Sequence, residues 1–305
     1  MRYVVLGGNG FIGSHIVDLL LLEGHEVTVL SINKEKYRDE LPGVKYIYGS
    51  IEDRNLVKTA LKSQEILIHT VSTTTPLTSN NNITRDITSN LLTAVDIFSI
   101  AAEYGIKRII YLSSGGAVYG DPHIIPVPEH HPTNPISSYG ITKLAIEKYL
   151  ALFSQQTGIA YNIIRPSNPY GPRQDPFGKQ GVIAVFLGKI LTGGKIEVWG
   201  DGKIYKDYLY IEDLARAIYA SSISPQSSQI FNVGSGTAVS ILDIIKAIEK
   251  VAHRKIDIQF LPARVFDVHK VCLDITHART ALNFDLTVDL EAGIAKTWYF
   301  INQIK

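Results

Sequence analysis

Cysteine is nearly absent from this chain. Cys272 stands alone among 305 residues, which excludes an internal disulfide and a multi-cysteine metal site. An excess of one charge is missing too: 30 Lys and Arg against 29 Asp and Glu leave a formal net charge of +1. That balance gives no electrostatic footprint for nucleic acid or an anionic membrane surface. No apolar run approaches the roughly 20 residues of a membrane-spanning helix. Met1-Arg2-Tyr3-Val4-Val5-Leu6 gives way to glycines too soon for a secretory signal. Internal repeats and low-complexity tracts are lacking as well. His123, His130 and His131 are scattered on proline-rich stretches, and read as solvated loop residues rather than metal ligands. The expectation is a soluble cytoplasmic protein that binds no metal, nucleic acid or membrane.

What is present is an ordinary globular composition, 45% apolar and 19% charged. Residues 2–7, 26–31, 44–48, 65–69 and 108–112 are short β-rich runs that read as buried strands. Helical spacing fills 11–23, 53–62 and roughly 86–104, with Gly24 and Gly105 as stops. A long helix near 138–157 and a strand at 159–165 continue the alternation. This order predicts right-handed βαβ units: an α/β, Rossmann-type doubly wound parallel sheet. After Arg165 the texture changes. A loop rich in proline and glycine spans 166–181, followed by helices at 182–192, 211–222 and 240–252 and strands near Trp199 and at 229–232. The division expected is a dinucleotide-binding domain over 1–165 and a smaller substrate-binding α/β lobe over 166–305, with some segments returning to the first domain.

Gly7-Gly8-Asn9-Gly10-Phe11-Ile12-Gly13 lies between the first strand and the first helix. Glycines there permit a tight turn and close backbone approach, and the helix start offers free N–H groups to a pyrophosphate. At the end of the second strand, where an acidic residue usually grips the ribose of NAD, this chain has Ser31, with Lys34 and Lys36 nearby. A carboxylate would repel a 2′-phosphate, whereas a hydroxyl flanked by lysines accepts one. NAD and NADP both stay open.

Tyr139-Gly140-Ile141-Thr142-Lys143 places a phenol and an ammonium four residues apart at a helix start, hence on one face. A neighbouring cation favours phenolate, so Lys143 is expected to lower the pKa of Tyr139 and make it a proton acceptor for a sugar hydroxyl. About 25 residues earlier comes Ser113-Ser114-Gly115-Gly116-Ala117-Val118-Tyr119-Gly120, and later Arg165-Pro166-Ser167-Asn168-Pro169-Tyr170-Gly171-Pro172. The glycine loop and these three motifs, in this order, resemble the extended short-chain dehydrogenases. Within them the likeness is to the NAD-dependent nucleotide-sugar epimerases and dehydratases, of the UDP-glucose 4-epimerase type.

The resemblance implies the following roles. Gly7, Gly10, Phe11, Ile12 and Gly13 hold the pyrophosphate of NAD or NADP, and Ser31, Lys34, Ser50, Ile51, Thr70, Val71, Ser72 and Asn90 lie along the cofactor with Tyr139 and Lys143. The family's hydroxyl-orienting Ser or Thr falls on Gly115 when counted from Val118-Tyr119-Gly120 and on Ser114 when counted from Tyr139; Ser114 is preferred, Ser113 second. Family dehydratases carry an Asp-Glu pair where this chain has Gly116-Ala117, which favours an epimerase acting by transient oxidation at a sugar carbon, C4 by likeness. The rivals are an NADP-dependent nucleotide-sugar reductase, an unusual dehydratase, and a non-catalytic dinucleotide-binding sensor. An intact Tyr-x-x-x-Lys argues against the sensor. On the substrate side the resemblance marks Asn168, Val182, Trp199, Lys206, Arg264 and Val271 for a nucleotide-sugar, a UDP-sugar by likeness. Lys206 replaces a family Arg, and Val271 stands where a bulky aromatic would exclude an N-acetyl group. A homodimer is expected, joined by the helices near 86–104 and 138–157 through Leu91, Leu92, Val95, Ile146, Tyr149 and Leu150.

Overall fold

The computed structural model describes residues 1–263 and 268–304. Its first half runs β1 Arg2–Leu6, α1 Phe11–Leu22, β2 Glu26–Ser31, β3 Val44–Tyr48, α2 Arg54–Leu61 and β4 Ile66–His69. Next come a short α3 at Ile83–Asp86, a π-helical turn at Ile87–Leu92, α4 at Thr93–Glu103, β5 at Arg108–Leu112 and α5 at Ser138–Thr157. The second half continues with β6 Ala160–Pro166, β7 Asn168–Tyr170, α6 Val182–Thr192, β8 Ile196–Trp199, β9 Tyr205–Tyr210 and α7 Ile211–Ile223. Then follow β10 Gln229–Val233, β11 Ala238–Ser240, α8 Ile241–Ala252, β12 Ile258–Leu261, α9 Thr276–Leu282 and α10 Leu290–Gln303.

The seven-stranded main sheet has the order β10-β6-β5-β4-β1-β2-β3, and all its pairings are parallel. β1 and β4 are buried almost throughout, as strands covered on both faces must be. One face packs on α1 and α7 through Ile16, Leu20, Leu214 and Ile218. The other packs on α2, α4 and α5 through Val57, Leu61, Phe98, Ile146 and Leu150. The order reverses between β1 and β4, and ligands of open parallel sheets bind outside the strand ends at such a switch point. Residues beyond β6 add two small sheets, β11-β9-β7 and β12-β8, while β10 returns to the main sheet.

Helix ends follow local chemistry. Ser137 caps α5 by accepting the Gly140 N–H at 3.2 Å, and Gly158, at φ 77°, closes it. The continuous helix read over 86–104 is instead broken by the π turn. Asp86 and Asn90, four residues apart and so on one helix face, both sit buried and bond to each other, Asn90 Nδ2 donating to Asp86 Oδ1 at 3.0 Å. Ile146 and Leu150, expected on a dimer face, belong to the interior, leaving Leu92 and Tyr149 exposed with Ile87, Ile141 and Leu152.

Candidate active site

The glycine turn occupies the mouth of the switch point. Gly7 has φ +83°, and a Cβ there would lie 2.8 Å from Thr70 Oγ1. A Cβ on Gly13 would lie 2.1 Å from the Gly7 carbonyl oxygen, so α1 packs against the turn only because that residue has no side chain. Gly10 begins α1 without a side-chain cap or an acid in the first turn. The first-turn N–H groups at Phe11, Ile12 and Gly13 thus face outward with their dipole uncompensated, a site that fits a pyrophosphate.

Around it, polar groups hold the backbone in shape. Thr70 Oγ1 donates to the Leu6 carbonyl at 2.8 Å, Ser72 Oγ to the Thr74 carbonyl at 2.9 Å, and Ser50 Oγ accepts the Glu52 N–H at 3.1 Å. Asn90 accepts the Thr73 N–H at 2.9 Å. Ile51, Val71, Ser72, Asn90, Tyr139 and Lys143 line one cavity together with His69, Asp86, Thr142 and Ile146. Ser31 is half-buried at the end of β2, but the lysines beyond it are paired: Lys34 with Glu40 at 3.6 Å and Lys36 with Asp175 at 3.5 Å.

The Tyr139–Lys143 pair is assembled as the helix spacing requires. Lys143 Nζ donates to the Leu112 carbonyl at 2.8 Å and lies 5.7 Å from the Tyr139 ring centre and 5.0 Å from that of Tyr111. The expectation that this ammonium lowers the phenol does not hold. Burial pushes Tyr139 up to about 12, against the lowering effect of a hydrogen bond with Ser114. The physical reason is placement: the ammonium is committed to a backbone carbonyl and the ring face, and removal from water outweighs it. Burial likewise pulls Lys143 down to about 8, opposed by Glu147 and Asp86. Burial, and then Lys143, lower His69 to about 3, so it is neutral. Its Nδ1 and the Tyr111 hydroxyl are buried without partners among the described residues.

The two serines separate. Ser114 acts on the Tyr139 phenol, lowering it against the effect of burial. Ser113 Oγ instead donates to Glu147 Oε1 at 2.5 Å. Gly115 offers only backbone, its N–H donating to the Pro166 carbonyl at 2.9 Å, and a Cβ there would meet Leu273 at 2.6 Å. Beneath them Glu147 forms a buried fork with Arg165, 2.6 and 3.0 Å. Arg165 Nη1 also donates to the Tyr119 hydroxyl at 2.8 Å, which donates to Asn232 at 2.7 Å. This network ties α5 to β5, β6 and β10.

On the lobe side, Asn168 Nδ2 donates to the Asp207 carbonyl at 2.8 Å, and Lys206 Nζ to the Val268 carbonyl at 2.9 Å. Val182 opens α6, half-buried. Trp199 ends β8 and is 37% exposed. Val271 is buried in the core, its N–H donating to the Tyr205 carbonyl at 3.0 Å. Arg264 lies outside the described residues. His131 departs from the solvated reading: it is buried, accepts the His123 N–H at 3.1 Å on Nε2 and donates to the Pro132 carbonyl at 2.7 Å through Nδ1.

Among the described residues, no cluster of three or more His, Cys, Asp or Glu could hold a metal ion, and no helix is long and apolar enough to cross a membrane. Sequence reasoning missed Asp86, Glu147, Thr74 and Thr142. Asp86 and Asn90 carried a faint signal, polar residues four apart on an otherwise apolar helix face. The others carried none.

The model of the NAD dependent epimerase/dehydratase family matches residues 3–234. The UDP-glucose 4-epimerase of Mycolicibacterium smegmatis is 33% identical over 307 residues, covering 98% of both chains. The dTDP-4-dehydro-6-deoxyglucose reductase of Escherichia coli is 31% identical, covering 96% of this chain and 95% of the relative. The crystal structure of the Thermus thermophilus UDP-glucose 4-epimerase in complex with NAD superposes with a TM-score of 0.92 at 30% identity, covering 99% of each chain.

Proposed function

The chain belongs to the NAD-dependent epimerase/dehydratase family, and from that premise we propose how its residues carry out the inversion. It is an NAD-dependent nucleotide-sugar epimerase of the UDP-sugar 4-epimerase type. Bound NAD supplies the transient two-electron acceptor and donor. Tyr139 takes the proton of the C4 hydroxyl as the carbon is oxidised to a ketone, and returns a proton when the carbon is reduced from its other face. The same phenol serves both half-reactions, so no separate acid–base pair is needed, in keeping with Gly116-Ala117. Ser114 orients the hydroxyl and steadies the phenolate. Lys143 keeps a positive charge beside it and a donor toward the cofactor ribose.

The observation carrying this reading is the placement of Tyr139 and Lys143 in one cavity at the strand ends that also bear the uncapped glycine turn. Burial holds the phenol in its neutral form; bound NAD would supply a positive charge that favours the deprotonated form. The test is a panel of UDP-sugars incubated with the purified enzyme while reduced cofactor is followed. An epimerase interconverts C4 pairs with no net change in cofactor. The Escherichia coli relative favours a second reading, reduction of a 4-keto sugar nucleotide, which consumes reduced cofactor in proportion to product.

Several finer assignments belong to the same reading. NADP is tolerated, because Ser31 lacks the carboxylate that would repel a 2′-phosphate. The lobe holds the UDP-sugar through Asn168, Val182, Trp199, Lys206 and Arg264, while Val271 packs in the core. The enzyme works in the cytoplasm as a homodimer joined through the face bearing Ile87, Leu92, Ile141, Tyr149 and Leu152, all exposed. Light scattering at micromolar concentration should give twice the 33.7 kDa chain mass.

A further inference from the structure

Two carboxylates lie close behind the Tyr139–Lys143 pair, and they are held in different ways. Glu147 is met by the Arg165 guanidinium at 2.6 Å. Asp86 is fully buried and, among the described residues, is held by neutral donors. Its Oδ2 accepts Ser138 Oγ at 2.6 Å and Thr142 Oγ1 at 2.8 Å, both from α5. Its Oδ1 accepts Thr74 Oγ1 at 2.5 Å, from the loop after β4, and Asn90 Nδ2 at 3.0 Å. Burial alone would raise this carboxyl. The bonds from Ser138, Thr74, Thr142 and Asn90 outweigh that and hold it below its ordinary range, so it is a carboxylate throughout the working pH range.

We propose that Asp86 is a positioning residue: a buried anion held by neutral groups that docks the start of α5 onto the cavity wall and sets the pH range in which the Tyr139–Lys143 pair works. Dipoles of hydroxyls and an amide stabilise a carboxylate without neutralising its net charge, so its field reaches the cavity that it lines. It raises both Tyr139 and Lys143. Among the other described ionisable groups facing the pair, His69 on β4 is neutral and Tyr111 on β5 is pushed far up by burial, while Glu147 on α5, paired with Arg165 on β6, raises Lys143 but not Tyr139. Asp86 thus acts with Glu147 in keeping Lys143 protonated, and of the two carboxylates it is the one that raises the phenol. The inference rests on Tyr139 being the base.

The test is Asp86→Asn, which keeps shape and removes charge, assayed as kcat against pH on cofactor-loaded enzyme. Both limbs of the profile should move to lower pH, by about half a unit or more. A residue with a merely structural role lowers the amplitude and leaves the limbs where they are, and that result overturns the proposal. If the Asn variant does not fold, Asp86→Ser removes the same charge while keeping a hydrogen-bonding side chain, so the limbs should move the same way, and unmoved limbs there overturn the proposal equally. Tyr139→Phe run alongside separates the two ideas. An inactive Phe variant with fixed limbs in the other variants refutes the role of Asp86 alone. A Phe variant that keeps its turnover refutes the base assignment and this proposal together.

Discussion

The parallel-sheet half and the smaller lobe treat their polar groups in opposite ways. In the sheet half, two features at the site are left open: the first turn of α1 has no cap, and Nδ1 of His69, which lines the cavity, has no partner among the described residues. In the lobe, the described candidate groups are spent on the chain itself, Asn168 on the Asp207 carbonyl and Lys206 on the Val268 carbonyl. Under the proposed function these lobe bonds would be exchanged for bonds to the sugar nucleotide, whereas the open N–H groups of α1 would meet the cofactor with no internal bond to break. Chemistry and sugar-nucleotide grip should therefore respond separately to mutation.

The largest effect expected belongs to the sheet half. Tyr139→Phe should lower kcat by about two to four orders of magnitude while leaving nucleotide-sugar binding intact; a variant retaining more than about a tenth of wild-type turnover would break the comparison. Arg165→Met comes next. It leaves Glu147 buried and unpaired, which costs about 3–5 kcal/mol, readable as a lower urea midpoint, and adding Glu147→Leu should recover part of the loss. On the lobe side, Lys206→Met should raise KM by about tenfold or less with kcat nearly constant. A fall in kcat at steady KM would mean that the lobe takes part in the chemistry. The smallest effect concerns the far end of β2. Ser31→Asp should weaken NADP more than NAD by like-charge repulsion, and equal shifts in the two titrations would show that Ser31 does not face the ribose.

What was legible in the sequence divides along the same line. β1, β2, β4 and β5 announce themselves because strands buried on both faces are continuous apolar runs, and α5 is bounded by Ser137 and Gly158, residues whose capping chemistry is local. The three-residue β7 (Asn168–Tyr170) and the mixed run of β9 (Tyr205–Tyr210) show no such pattern. They are strands because they pair with each other across the lobe. The Ser113–Ser114 ambiguity was likewise irreducible. Which hydroxyl meets Tyr139 depends on Glu147, 34 residues from Ser113. The direction of the Tyr139 shift was misread because spacing places an ammonium on the right face but says nothing of how dry the phenol is, or of a carbonyl at Leu112 that claims the ammonium first. His131 fails for the same reason, since a loop histidine is judged by its neighbours in space, here His123 and Pro132.

The course of the chain through the main sheet has a consequence for how the molecule comes into being. After β6 the polypeptide leaves to build much of the lobe, then comes back with α7 to cover α1 and with β10 to pair with β6. Until residue 233 has emerged, a nascent chain exposes the unpaired edge of β6 and the apolar side of α1 facing α7. Such edges and late, distant pairings favour slow folding and self-association. Fragments ending near residue 165 should consequently aggregate rather than behave as an autonomous dinucleotide-binding unit.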